Sequence, residues 1–154
     1  RRQRQMCIRD RHGTVSLLAG IDLLTGMVHS IVCESHKSSD FIDFLKMLDK
    51  TYPEGIVINI ILDNHSAHRS KETMNYLATQ PNRFKFTFTP KHASWLNLIE
   101  SFFGKMARTC LKGLRVRSKE ELVNHINRWI MQVNAEPVVY RWKWKLEDIE
   151  SAFT

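Results

Sequence analysis

Between Gly55 and Asp63 the chain reads Gly-Ile-Val-Ile-Asn-Ile-Ile-Leu-Asp, rich in β-branched residues and apolar at nearly every position. A half-buried strand alternates apolar and polar residues because successive side chains point to opposite faces. A run without that alternation requires cover on both faces. This segment is therefore expected as a central strand in a sheet enclosed by helices, with Asp63 at its carboxyl end. In open α/β sheets that end borders the crevice where ligands bind.

The flanking patterns supply the other layers. Thr14 to Glu34 contains two apolar runs separated by Leu23-Leu24-Thr25-Gly26, and Gly26 can take the positive φ of a tight turn, so a β-hairpin is expected. Phe41, Phe44, Leu45 and Leu48 recur at helical spacing behind Ser38-Ser39-Asp40, and Pro53 and Gly55 end that helix. Ser70 to Thr79 reads as a short helix. Arg83 to Thr89 reads as an alternating strand stopped by Pro90. Trp95, Leu98, Ile99, Phe102, Phe103 and Met106 form the apolar stripe of an amphipathic helix running to Gly113, and Glu100 lies off the centre of that stripe. Ser118 followed by Glu121 is a capping-box pattern opening a last long helix through about Asn134, with Leu122, Ile126, Trp129, Ile130 and Val133 facing inward. The basic, aromatic segment after Pro137 reads as a strap and a helical turn.

The chain has 154 residues, enough for one domain with its own core. Residues 1–11, Arg-Arg-Gln-Arg-Gln-Met-Cys-Ile-Arg-Asp-Arg, show neither a helical nor a strand period. They are expected as a tail outside a domain spanning 12–154. A net charge of +7 favours association with polyanions, nucleic acid being the commonest. Cys7, Cys33 and Cys110 lie far apart with no Cys-x-x-Cys pair, which argues against a disulfide framework and a zinc knuckle. No stretch reaches the ~20 apolar residues that span a bilayer. The expectation is an intracellular, soluble protein with no membrane association.

Two carboxylates stand out by their settings: Asp63 in Ile-Leu-Asp-Asn-His-Ser-Ala-His, and Glu100 in Ser-Trp-Leu-Asn-Leu-Ile-Glu-Ser-Phe-Phe. Mg²⁺ takes oxygen ligands, uses few carboxylates and keeps positions open for water and phosphate. Two such ions about 4 Å apart stabilise the attacking and leaving oxygens of an in-line displacement at phosphorus. The segments RHGTVSLLAGIDLLTG, ILDNHSAH and FTPKHASWLNLIESFFGKM closely resemble the catalytic domain of bacterial insertion-sequence transposases related to the mariner elements, within the DDE endonuclease superfamily. The resemblance runs from about Arg11 to Asp148.

That resemblance implies an α/β ribonuclease H-like fold, a mixed sheet flanked by helices. In the family two aspartates and a glutamate hold two Mg²⁺ or Mn²⁺ ions. It further implies DNA ends and target DNA as partners, and a homo-oligomer assembled on DNA. Asp63 matches the second aspartate of the family and Glu100 the glutamate, making both candidate catalytic residues and metal ligands. The family's first aspartate lies on a first strand upstream of the hairpin. By this comparison the strand is missing, and neither Asp10 nor Asp22 takes its place. The expectation is therefore an N-terminally truncated, inactive form of a strand-cleaving and strand-transferring enzyme.

Candidate DNA contacts are His65 and His68 beside Asp63, Lys91 and His92 on the loop toward Glu100, and Asn97 one turn before it. The basic cluster Arg115, Arg117 and Lys119 joins them, as do Arg141, Lys143 and Lys145, which interleave with Trp142 and Trp144. Each has a plainer alternative. Asp63 is in the setting of a strand-end turn, Glu100 in that of a solvated helix position, and the basic residues suit a solvated face. At the level of the whole chain the alternatives are a non-catalytic DNA-binding remnant or domesticated transposase, and another nuclease on the ribonuclease H-like fold.

Overall fold

The computed structural model describes residues 2–10, 13–35, 37–63, 65–88 and 97–137, those of 2–14 and 97–98 by their backbone alone. Strands β1 (Arg2–Asp10), β2 (Gly13–Ile21), β3 (Val28–Cys33), β4 (Ile58–Leu62) and β5 (Phe84–Phe88) form one sheet in the order β3-β2-β1-β4-β5. β2 runs antiparallel to both β1 and β3, while β1, β4 and β5 run parallel. Helices α1 (Ser38–Thr51), α2 (Ser66–Arg69), α3 (Lys71–Thr79), α4 (Asn97–Met106) and α5 (Lys119–Ala135) complete the described chain, with a π-helical turn at Ala107–Leu111 after α4.

The fold corrects one expectation. Residues 2–10, which looked like a tail, form β1 in the middle of the sheet. Arg2 to Asp10 pair with Ile21 to Gly13, and Arg2 and Gln3 pair with Ile61 and Leu62 of β4. The physical reason lies with the neighbours. β2 buries Val15, Leu17, Leu18, Ala19 and Ile21, so it is enclosed on both faces, and a strand so enclosed needs backbone partners along both edges. β1 satisfies that need through its own N–H and C=O groups, which every sequence carries whatever its side-chain pattern.

The sheet separates two apolar layers. Leu18, Ile58, Ile60 and Leu62 pack with Phe41, Phe44, Leu45 and Leu48 of α1 on one face. Val15, Leu17, Ala19 and Ile21 pack with Ile99, Phe102, Phe103 and Met106 of α4 and Leu122, Ile126 and Ile130 of α5 on the other. The apolar run around β4 is buried as expected at Ile58, Ile60, Ile61 and Leu62. Ile56 and Val57 precede the strand and are exposed, and Asn59 opens one face to solvent.

Polar side chains lock the joints. Asp40 accepts at Oδ2 from the Lys37 N–H and the Ser35 hydroxyl, both at 3.1 Å, closing the start of α1. Ser118 Oγ accepts from Glu121 N at 3.1 Å, one half of the expected capping box; the Glu121 carboxylate turns instead to Arg117 N, at 2.8 Å. The single helix expected to Gly113 widens into the π-helical turn, and Gly113, at φ 70°, follows it in the left-handed region.

Candidate active site

Asp63 is the first residue past β4, and the chain turns there for local reasons. Its Oδ1 accepts from His65 N at 3.4 Å, and His65 Nδ1 in turn accepts from Ala67 N at 3.2 Å, capping α2. Ser70 Oγ then caps α3 by accepting from Thr73 N at 3.2 Å. The turn-forming alternative for Asp63 is thus fulfilled, yet it occupies only one carboxylate oxygen. Among the described residues no protein donor reaches Oδ2.

His68 closes the other side. Its Nδ1 lies 2.9 Å from the Asp63 carbonyl oxygen and 3.3 Å from Asp63 Oδ1. A carbonyl only accepts, so Nδ1 carries the proton. The His68 side chain is 5% exposed and that of Asp63 38%. The hydrogen bond from His68 holds the Asp63 carboxyl below the usual carboxylate range. Burial works against this, while the nearby charge of His68, the His65 N–H and the charge of His65 add to it. The result is an anionic carboxylate at neutral pH, half-buried, with one oxygen tied and the other meeting no donor among the described residues. That donor chemistry fits a hard divalent cation.

Glu100 stands in the first turn of α4 and is exposed, while its neighbour Ile99 is fully buried. α4 packs against β1, the strand beside β4, so the two carboxylates come from elements that both adjoin β1. Among the described residues no three Asp, Glu, His or Cys side chains gather closely enough to hold a metal ion. Asp22 accepts from the Tyr52 hydroxyl at 2.6 Å and from Leu24 N at 2.9 Å, and so belongs to the hairpin turn. It follows Ile21, which pairs with Arg2 and through it with Ile61, two strand spacings or roughly 10 Å to the side. Asp10 lies seven residues beyond Gln3, the partner of Leu62, a distance of roughly 23 Å along β1.

The remaining candidates separate clearly. His65 is exposed at the lip of the site, whereas His68 is buried and faces Asp63 rather than solvent. Arg115 and Arg117 are exposed; Lys119 is half-buried, 3.4 Å from Glu34. Lys105, Arg108, Lys112 and Arg128 are exposed on the same stretch of chain from α4 to α5, a grouping with no signature in the sequence pattern. Asn97 begins α4, with its backbone alone described. Lys91, His92, Arg141, Lys143 and Lys145 lie outside the described residues. Phe41, read only as a core residue, also carries the His68 ring at 4.6 Å between centroids, and Arg69 lies 4.2 Å from the centre of the Phe88 ring.

A mixed sheet in this order, covered by helices on both faces and with a carboxylate ending the strand beside its central one, defines the ribonuclease H-like class of integrase and transposase cores. The fold matches the HTLV-2 integrase catalytic core domain in complex with magnesium at a TM-score of 0.67 and 18% identity, over 88% of this chain and 85% of that one. It matches the catalytic domain of Mos1 mariner transposase at 0.61 and 15%, over 90% and 70%. Within this class the chain belongs to the DDE superfamily endonucleases, whose family pattern it matches over residues 1–123, the β1 segment included. It is also 28% identical over 113 residues to an insertion element IS630 protein of 39 kDa from Shigella sonnei, covering 73% of this chain and 33% of that protein. The chain thus spans about a third of the length of that curated relative. The family shown for the chain is thus the DDE superfamily endonucleases, and the insertion element protein and the mariner transposase core are proteins it is similar to.

Proposed function

We propose that the chain contributes to metal-dependent DNA strand cleavage and strand transfer in transposition, with Asp63 and Glu100 as ligands for Mg²⁺ or Mn²⁺. The observation that carries this reading is Asp63, held anionic at the carboxyl end of β4 with one oxygen that no described residue bonds. When bound, two such ions would activate the attacking oxygen and stabilise the leaving one. The protein's own part is to hold Asp63 as a fixed anion, to offer Glu100 from α4, and to grip the DNA backbone through Arg115 and Arg117, with His65 at the lip. Manganese titration by calorimetry tests this: binding lost in Asp63→Asn supports it, and equal binding in both proteins refutes it.

Asp63 and Glu100 are two of the three carboxylates that such a site uses, and Asp10 and Asp22 are placed too far away to be the third. Cleavage by this stretch of chain alone is therefore not expected. Mg²⁺-dependent strand cutting by it, abolished in Asp63→Ala, would overturn that expectation. DNA is the proposed partner, bound by a homo-oligomer in the bacterial cytoplasm. Among the described residues no helix is long and apolar enough to cross a membrane. A non-catalytic DNA-binding role is the second reading. It is favoured by the exposed Lys105, Arg108, Lys112, Arg115, Arg117 and Arg128, and it calls for DNA affinity indifferent to Asp63→Asn.

A further inference from the structure

We infer that His68 is a positioning residue, which grips Asp63 by its carbonyl and by Oδ1 so that Oδ2, which meets no donor among the described residues, is left for a divalent cation. The inference rests on the proposed role of Asp63 as a metal ligand. Its basis is geometric. One imidazole N–H is shared between two acceptors of the same residue, at 2.9 Å to the backbone and 3.3 Å to the side chain. Such a contact fixes both the course of the chain after β4 and the plane of the carboxylate.

The imidazole is itself immobilised. It is buried against Phe41, which is 1% exposed and lies 6.0 Å from the Phe86 ring of β5. α2 has only four residues, too few to persist through its own hydrogen bonds. Tertiary contacts hold it: Thr73 Oγ1 donates to Ala67 O at 2.7 Å, Ala67 is buried, and Arg69 lies over Phe88. His65 does a different job, because its Nδ1 is spent on the cap of α2 and its side chain is exposed. Partners that orient a metal ligand typically govern 10- to 100-fold in metal affinity, so a buried clamp of this kind has a measurable effect.

The test uses Mn²⁺ as the probe, with free Mn²⁺ followed by electron paramagnetic resonance. Asparagine places an amide nitrogen the same number of bonds from Cα as Nδ1, and glutamine places one at the position of Nε2. His68→Gln is expected to bind Mn²⁺ about tenfold more weakly than wild type, and His68→Asn to recover most of the loss. A purely structural role for the ring would not distinguish the two amides in this order. Unchanged affinity in His68→Gln, with binding lost in Asp63→Asn, overturns the positioning role and leaves the metal role of Asp63 standing. Absent binding in wild type, or equal binding in Asp63→Asn, overturns the metal role instead. A third measurement needs neither variant nor metal: in ¹⁵N-histidine-labelled wild type the His68 Nδ1–H should exchange slowly with solvent, and a fast-exchanging or absent Nδ1–H overturns the clamp.

Discussion

Replacing Arg83 with alanine should destabilise the fold by about 3 kcal/mol, a figure that follows from the bonds its guanidinium makes. The guanidinium uses all five of its N–H donors. Nε bonds Asp49 Oδ1 at 2.7 Å, Nη1 bonds Pro53 O and Ile56 O at 2.7 Å, and Nη2 bonds Asp49 O and Tyr52 O at 2.9 Å. The side chain is 8% exposed. It gathers the end of α1 and the approach to β4 onto the residue preceding β5, while its own carbonyl accepts from Ile58 N at 2.7 Å. Charged hydrogen bonds contribute about 1.5–3 kcal/mol each, so five intact ones would exceed the cost of truncation. Water recovers part of it, since Pro53 and Ile56 are exposed and the Asp49 carboxylate is 35% exposed. That leaves the low end of the ~3–5 kcal/mol range for stripping one partner from a buried pair.

For a domain of this size about 3 kcal/mol corresponds to a fall in Tm of roughly 6–12 °C. Urea and thermal melts followed by far-ultraviolet circular dichroism would measure it. Arg83→Lys should recover little, because an ammonium has three donors and no planar fork. A midpoint for Arg83→Ala within about 0.5 kcal/mol of wild type, the usual range for surface substitutions, would refute the reasoning.

Other perturbations act through the same kinds of bond. The lowered folded pKa of Asp63 means that its contribution to stability is present above the unfolded carboxylate value of about 3.9 and is lost as pH falls through the folded value. Asp63→Asn should therefore flatten the acid limb of the stability curve, and a limb identical to wild type would count against the His68 hydrogen bond. Asn134 pairs its amide with both Val28 N and Val28 O at 2.8 Å, stitching α5 to the start of β3. Asn134→Ala should cost about 1–2 kcal/mol and speed hydrogen exchange at Val28; unchanged protection there would contradict it. Arg115→Ala with Arg117→Ala should lower the slope of log affinity for duplex DNA against log salt by about 2, one for each phosphate no longer neutralised by a guanidinium. An unaltered slope would remove this stretch from the DNA surface.

Much of the architecture was legible because periodicity within one segment reports its environment. The stripe of Ile99, Phe102, Phe103 and Met106 read as one face of a helix, and all four are buried on one layer. The same holds for Phe41, Phe44, Leu45 and Leu48 on the other. Asp63 at the end of β4 was legible from the strand that precedes it. Arg83 was not, because an arginine among polar residues looks solvated until the helix end it serves packs beside it. The burial of His68, named from the sequence as a candidate DNA contact, was not legible for the same reason, because only the packing of α2 on Phe41 covers it.

The sequence by itself determined the inner strand that ends at Asp63, the hairpin, the apolar faces of the helices and the two carboxylates whose flanking residues tie the chain to the DDE endonucleases. Those signals are local, carried by side chains that repeat with the period of one element. Tertiary structure alone decided that residues 2–10 fill the middle of the sheet, that Asp10 and Asp22 stand away from Asp63, and that one oxygen of Asp63 is anchored while the other meets no donor among the described residues. Strand pairing runs through backbone groups common to every residue. The anchoring depends on an imidazole brought in by the next turn of chain, so neither leaves a periodic mark in the sequence.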